Sequence, residues 1–168
     1  MFKLANISYA NRGKDFEAII DYVNELYERK GLATIHKIPV EHKAITRNGY
    51  TKAWYVSKST VDYIGVCNGR GLAFDAKSTR GKSLPLANIP EHQIVFLTNW
   101  QRDGGQAFFL VEYAELNEVY RLPLYIVREQ IEIANKGGRK SLAIEHCREV
   151  AVRVKKEGVC PLDYLGLM

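Results

Sequence analysis

The 168-residue chain is poor in cysteine, and Cys67, Cys147 and Cys160 are an odd number with no framework spacing. A disulfide scaffold is therefore not the basis of the fold, and a reducing compartment, the cytoplasm, is expected. His146 and Cys147 are neighbours, but nothing else in the chain completes a zinc set around them. Long apolar runs are missing too. No stretch approaches the roughly 20 apolar residues of a membrane span. The opening MFKLANISYANRG has no apolar h-region, so no membrane partner is expected. Internal repeats and low-complexity segments are absent.

What remains is ordinary globular composition, with 46% hydrophobic and 26% charged residues. That length and composition predict one domain over 1–168 with a real core. The net charge of +5 and isoelectric point of about 9.1 suit a polyanionic partner without requiring one.

Residues 60–77, TVDYIGVCNGRGLAFDAK, read as two short strands around a glycine-rich turn. Asp75 and Lys77 are two apart and so share a strand face, and Asp62 lies across the turn from them. Two carboxylates can hold Mg2+, with Mn2+ as a possible substitute, through oxygen. An ammonium beside them can orient a water or stabilise phosphate charge. The competing reading is a surface hairpin with solvated charges, and the spacing by itself leaves both open.

The pattern D-x12-D-x-K resembles the motif of the PD-(D/E)xK nuclease superfamily, with Val61 where proline is usual and Asp75 where glutamate is common. The flanks extend the likeness. NRGKDFE at 11–17, GLATIHKIP at 31–39, STVDYIGV at 59–66, LAFDAKSTRGKSLPLANIPEHQI at 72–94, GRKSL at 138–142 and LDYL at 162–165 follow one another in this order. Together they resemble the RecU family of Holliday junction resolvases of Gram-positive bacteria and their phages. The resemblance implies a restriction-endonuclease-like α/β fold, a mixed β-sheet flanked by helices.

In chain order, Phe16, Ile19, Ile20, Val23, Leu26 and Tyr27 predict a helix from about Gly13 to Lys30. Glu17 on it reads either as a first-turn acid suited to the helix dipole or as an extra carboxylate near a metal. Arg12 precedes the helix; the resemblance makes its NRG tripeptide a signature and implies a DNA-facing role. GLATIHKIP predicts a strand closed by Pro39, with His36 as a hydrogen-bonded structural residue and Lys37 available to phosphate. Residues 41–58 hold Lys43, Arg47, Lys52 and Lys58 among Tyr50, Trp54 and Tyr55. This mixture suits nucleic acid, on a protruding hairpin or a partly ordered arm. The resemblance places the family's stalk here, an insertion that enters the open centre of a four-way junction.

After the 60–77 hairpin, Arg80 and Lys82 are positioned to meet DNA backbone, a contact that carries no base information. Pro90 starts a helix running to about Arg102. The resemblance gives its Gln93 a place near the metal; the alternative is a helix-surface amide. QAFFLVEY at 106–113 predicts a central strand, NEVYRLP at 117–123 its neighbour, and 124–135 a helix, in a sheet of about five strands. GGRKS at 137–141 is a basic loop, and 142–158 reads equally as strand or helix.

The implied activity is metal-dependent paired nicking of branched DNA by a homodimer. Asp62, Asp75, Gln93, the Ala76 carbonyl and possible help from Glu17 would hold the metal, and Lys77 would activate or position water. A recombinase or branch-migration helicase is a possible further partner. Two other readings stay open: a nuclease of the superfamily without junction preference, and a junction-binding protein whose site is inactive because Asp75 is one methylene shorter than glutamate.

Overall fold

The structure, a computed structural model, describes residues 12–39, 42–47, 50–55, 60–155 and 158–168, with backbone alone for 12–14, 42–47 and 50–55. Helix α1 (Arg12–Arg29) buries Phe16, Ile20, Val23 and Tyr27, which recur at helical spacing. It ends at Gly31, whose φ of +65° only glycine adopts without strain. Strand β1 (Ala33–Lys37) follows, then the hairpin strands β2 (His42–Arg47) and β3 (Tyr50–Tyr55). Next come β4 (Tyr63–Cys67), β5 (Arg70–Thr79), the short β6 (Ser83–Pro85) and α2 (Glu91–Arg102). The chain continues with β7 (Gln106–Tyr113), β8 (Glu118–Pro123), α3 (Leu124–Asn135), β9 (Ser141–Ala143), α4 (Ile144–Val150) and β10 (Val152–Val154).

Six strands form one sheet in the order β1-β4-β5-β7-β8-β10. Only β5 and β7 run parallel, so the sheet is mixed, as expected. A parallel pair needs a crossover, and α2 supplies it. The expected count of about five strands is corrected to six. The extra one is β10, three residues long, formed where 142–158 divides into α4 and an edge strand. Arg148 on α4 pairs with Glu118 on β8 at 2.6 Å and ties the two elements together.

The sheet buries both faces. Val61, Leu97, Phe109, Val111, Leu122 and Val127 belong to the core on the α2–α3–α4 side. Phe16, Ile20, Tyr63, Phe74, Phe108 and Tyr164 belong to the other, under α1 and the C-terminal segment. Phe74 stacks between Tyr63 at 4.8 Å and Phe108 at 4.9 Å, an aromatic rung across β4, β5 and β7. LDYL closes this core. The Tyr164 hydroxyl donates to Asn24, and the Tyr27 hydroxyl donates to Asp163 Oδ1 at 2.7 Å.

β2 and β3 pair from His42 opposite Tyr55 to Arg47 opposite Tyr50 and make a two-stranded sheet of their own. The expected hairpin within 41–58 is therefore present in the backbone. Its tip at 48–49 and residue 58 lie outside the described residues.

Candidate active site

The β4–β5 turn sets the register that matters. Asn68 and Gly69, with φ of 51° and 73°, are the two central residues between paired Cys67 and Arg70. Two consecutive positive φ values are the signature of the tight type I′ hairpin, and Asn-Gly is its preferred sequence. Counting back from the turn, Tyr63 faces Phe74, and Asp62 stands just ahead of β4. The Asp62 carbonyl accepts from the Ile38 amide at 2.8 Å, and its Oδ2 accepts from the Ala76 amide at 2.9 Å. The carboxylate is thereby tied to the residue beside Asp75.

Asp75 is 0% exposed. Its Oδ1 accepts from Gln93 Nε2 at 2.5 Å, and the Lys77 ammonium touches Oδ2. Asp75 Oδ2 meets nothing besides that ammonium, and Gln93 Oε1 is buried with no hydrogen-bond partner. Burial drives the Asp75 carboxyl up, Lys77 offsets part of the rise, and Asp62 adds to it, for a net value of about 7. Gln93 is buried, because the crossover lays α2 against this face; a surface amide is ruled out. The site thus combines two carboxylates and an amide oxygen, the last of them lacking a hydrogen-bond partner. That is the donor set of a hard divalent cation. Among the described residues, no three His, Cys, Asp or Glu side chains gather as a metal cluster.

Glu17 sits in a second, more open group. Lys37 Nζ lies 2.7 Å from Glu17 and 3.5 Å from Asp21, one helical turn further along α1. The Tyr63 hydroxyl donates to Asp21 Oδ1 at 2.7 Å. Burial, then Asp21, then Glu17 and Asp62 push the Tyr63 phenol far above its usual range. Lys37, expected to be open to phosphate, is engaged by two carboxylates. Asp21 and Tyr63 were missed from sequence; the signal was the i, i+4 spacing of Glu17 and Asp21 on one helix face. His36 is corrected from a structural histidine to an exposed one, since the outward positions of β1 face solvent.

Arg80 and Lys82 are exposed in the turn between β5 and β6. For Arg12, Lys43, Arg47 and Lys52 only the backbone is described, and Lys58 lies outside the described residues. Among the described residues, no helix is long and apolar enough to cross a membrane.

Comparison with known proteins agrees with this architecture. The family model described as RecU, Recombination protein U, matches residues 11–168. The Holliday junction resolvase RecU of Lactococcus lactis subsp. lactis (strain IL1403) is 37% identical over 171 residues, covering 96% of this chain and 79% of the relative. That of Oenococcus oeni (strain ATCC BAA-331 / PSU-1) is 34% identical over 171 residues, covering 97% and 87%. In three dimensions the chain is similar to Hjc, a Holliday junction resolvase of Archaeoglobus fulgidus. The TM-score is 0.51 at 13% identity, over 86% of this chain and 93% of that one. The fold is therefore the restriction-endonuclease-like mixed α/β fold expected from the sequence.

Proposed function

The chain belongs to the RecU family, and on that premise we propose that it resolves four-way DNA junctions by hydrolysing phosphodiester bonds at Asp62, Asp75 and Lys77. The observation that carries the site assignment is the buried Asp75 held between Gln93 and Lys77, with the buried Gln93 Oε1 beside it left without a hydrogen-bond partner. Asp62, Asp75 and the Gln93 side-chain oxygen would hold Mg2+ or Mn2+. Such an ion lowers the pKa of a bound water and offsets charge on the phosphoryl transition state.

The remaining work falls to the protein. Asp62 is fixed through the Ala76 amide, so the two carboxylates cannot drift apart. Lys77 holds its ammonium at the carboxylate edge, its side chain 15% exposed, where it can orient the attacking water. Glu17 would be available to such an ion only if Lys37 left it for a phosphate. Cleavage leaves a 5′-phosphate and a 3′-hydroxyl, so the nicks can be religated. A homodimer would carry two such sites, matching the near two-fold symmetry of the junction. The β2–β3 hairpin would supply the element that enters the junction's centre.

The test is cleavage of a labelled four-way junction beside matched duplex and fork DNA, with Mg2+, with Mn2+ and with chelator. The expected result is paired nicks on the junction alone, dependent on metal, abolished by Asp75→Ala while junction binding survives. Equal cutting of all substrates would overturn junction resolution and leave a nuclease. Binding without cutting under any metal would leave a junction-binding protein.

A further inference from the structure

The basic loop 137–141 and the turn 80–82 are far apart in the chain but adjoin in the fold. β6 and β9 pair antiparallel, with Leu84 opposite Leu142. Both leucines are fully buried, so Ser83 and Ser141 share the outer face. Their hydroxyl oxygens are 3.1 Å apart. Arg139 reaches over both. Its Nη2 donates to Ser83 Oγ at 2.6 Å and its Nε donates to Ser141 Oγ at 3.0 Å. Gln130 Nε2 donates to the Arg139 carbonyl at 2.6 Å and fixes the loop beneath.

The chemistry of this group is unbalanced. Each serine oxygen accepts from the guanidinium, so each hydroxyl proton is turned elsewhere, and the other serine can use only one of them. The guanidinium has five N–H donors and spends two on these neutral oxygens. Lys37, Lys77, Arg102 and Arg148 all pair with carboxylates. Arg139 has no carboxylate partner among the described residues. An exposed guanidinium fork with spare N–H groups and a free hydroxyl donor is complementary to a tetrahedral oxyanion. The group also lies beside the candidate catalytic strand. The Thr79 hydroxyl donates to the Ser83 carbonyl at 3.0 Å, and Thr79 is on the order of 7 Å along β5 from Lys77.

We propose that Arg139, Ser83 and Ser141 form a separate phosphate site that grips a backbone phosphodiester of the DNA arm next to the cut. The assignment rests on the DNA-cutting reading above and adds a contact outside the metal centre. Lys140, the next residue, lines the groove between α2 and α3 with Glu91 and Glu132, on a different side of the loop. It serves as the matched control.

The experiment measures binding of the full chain to labelled junction and duplex in chelator, where no metal-dependent cutting occurs, over a range of KCl concentrations. Losing one phosphate contact lowers the slope of log K against log salt by about 0.9. Arg139→Ala is expected to lose about that slope on both DNAs, and Lys140→Ala to keep it. Arg139→Lys restores the slope but not the affinity, because it keeps the charge and loses the fork. Ser141→Ala weakens binding with the slope unchanged. Wild-type slope and affinity in Arg139→Ala would overturn the site, and so would an equal slope loss in Lys140→Ala. Should Arg139→Ala not fold, Arg139→Lys and Ser141→Ala decide, and wild-type affinity in both would overturn it. Failure of the junction reading appears separately, as wild-type protein cutting duplex and junction alike.

Discussion

Asp75 is placed where a free carboxylate is unfavourable, and that sets its pH behaviour. Its value rises from 3.8 in the unfolded chain to about 7 in the fold. Between those values the folded protein holds a proton that the unfolded chain has released. The contribution of Asp75 to stability is therefore full below about 4, falls as pH rises through this window, and is lost above about 7. Metal-free protein should show a melting temperature that declines over that interval, and Asp75→Asn should flatten the decline. A cation binding Asp75 must displace the same proton. Affinity for Mg2+ should climb with pH up to about 7, and calorimetry in two buffers of different ionisation enthalpy should read the proton released. At this scale, spacing could bring Asp62, Asp75 and Lys77 together but left a solvated hairpin equally open, and the order of the flanking segments singled them out. The engagement of Lys37 by Glu17 and Asp21 could not be read this way, because it depends on how α1 lies over the end of β1.

At the scale of elements, the aromatic rung is the joint on which the site depends. Phe74 is fully buried and adjacent to Asp75, and it stacks on Tyr63, the residue after Asp62. Phe74→Ala should cost roughly 3–5 kcal/mol in urea denaturation. Cleavage should fall further than the remaining folded fraction explains, since Asp75 follows Phe74 on β5 and Asp62 precedes its stacking partner Tyr63. The β2–β3 hairpin makes the opposite prediction. It is a sheet of its own, so deleting 42–57 should leave the melting temperature nearly unchanged. Junction cleavage should weaken far more than cleavage of simple duplex; an unchanged ratio would remove its role at the junction. Long elements were legible here: the predicted 13–30 and 124–135 helices fall within one residue of α1 and on α3. The 142–158 stretch was not, because a seven-residue helix followed by a three-residue edge strand presents too few periods to tell 3.6 from 2.

At the scale of the whole molecule, the proposed dimer gives a prediction of stoichiometry. Sedimentation should find two copies, and a mixed dimer with one Asp75→Ala subunit should leave a single nick where the wild type leaves two. The RecU likeness could be read from segments spread along the chain because it needs only their order.

What the sequence determined by itself is local in origin. Helical spacing placed α1, the glycine-rich NGRG placed the tight turn, and the turn then set Asp62 across from Asp75 and Lys77. What only the tertiary structure decided depends on non-local pairing. The crossover of α2 buries Gln93 against Asp75, and β6 finds β9 to bring Arg139 over Ser83, 56 positions away in the chain. Burial, and with it the raised value of Asp75, exists only once those distant segments have excluded water from one face of the sheet.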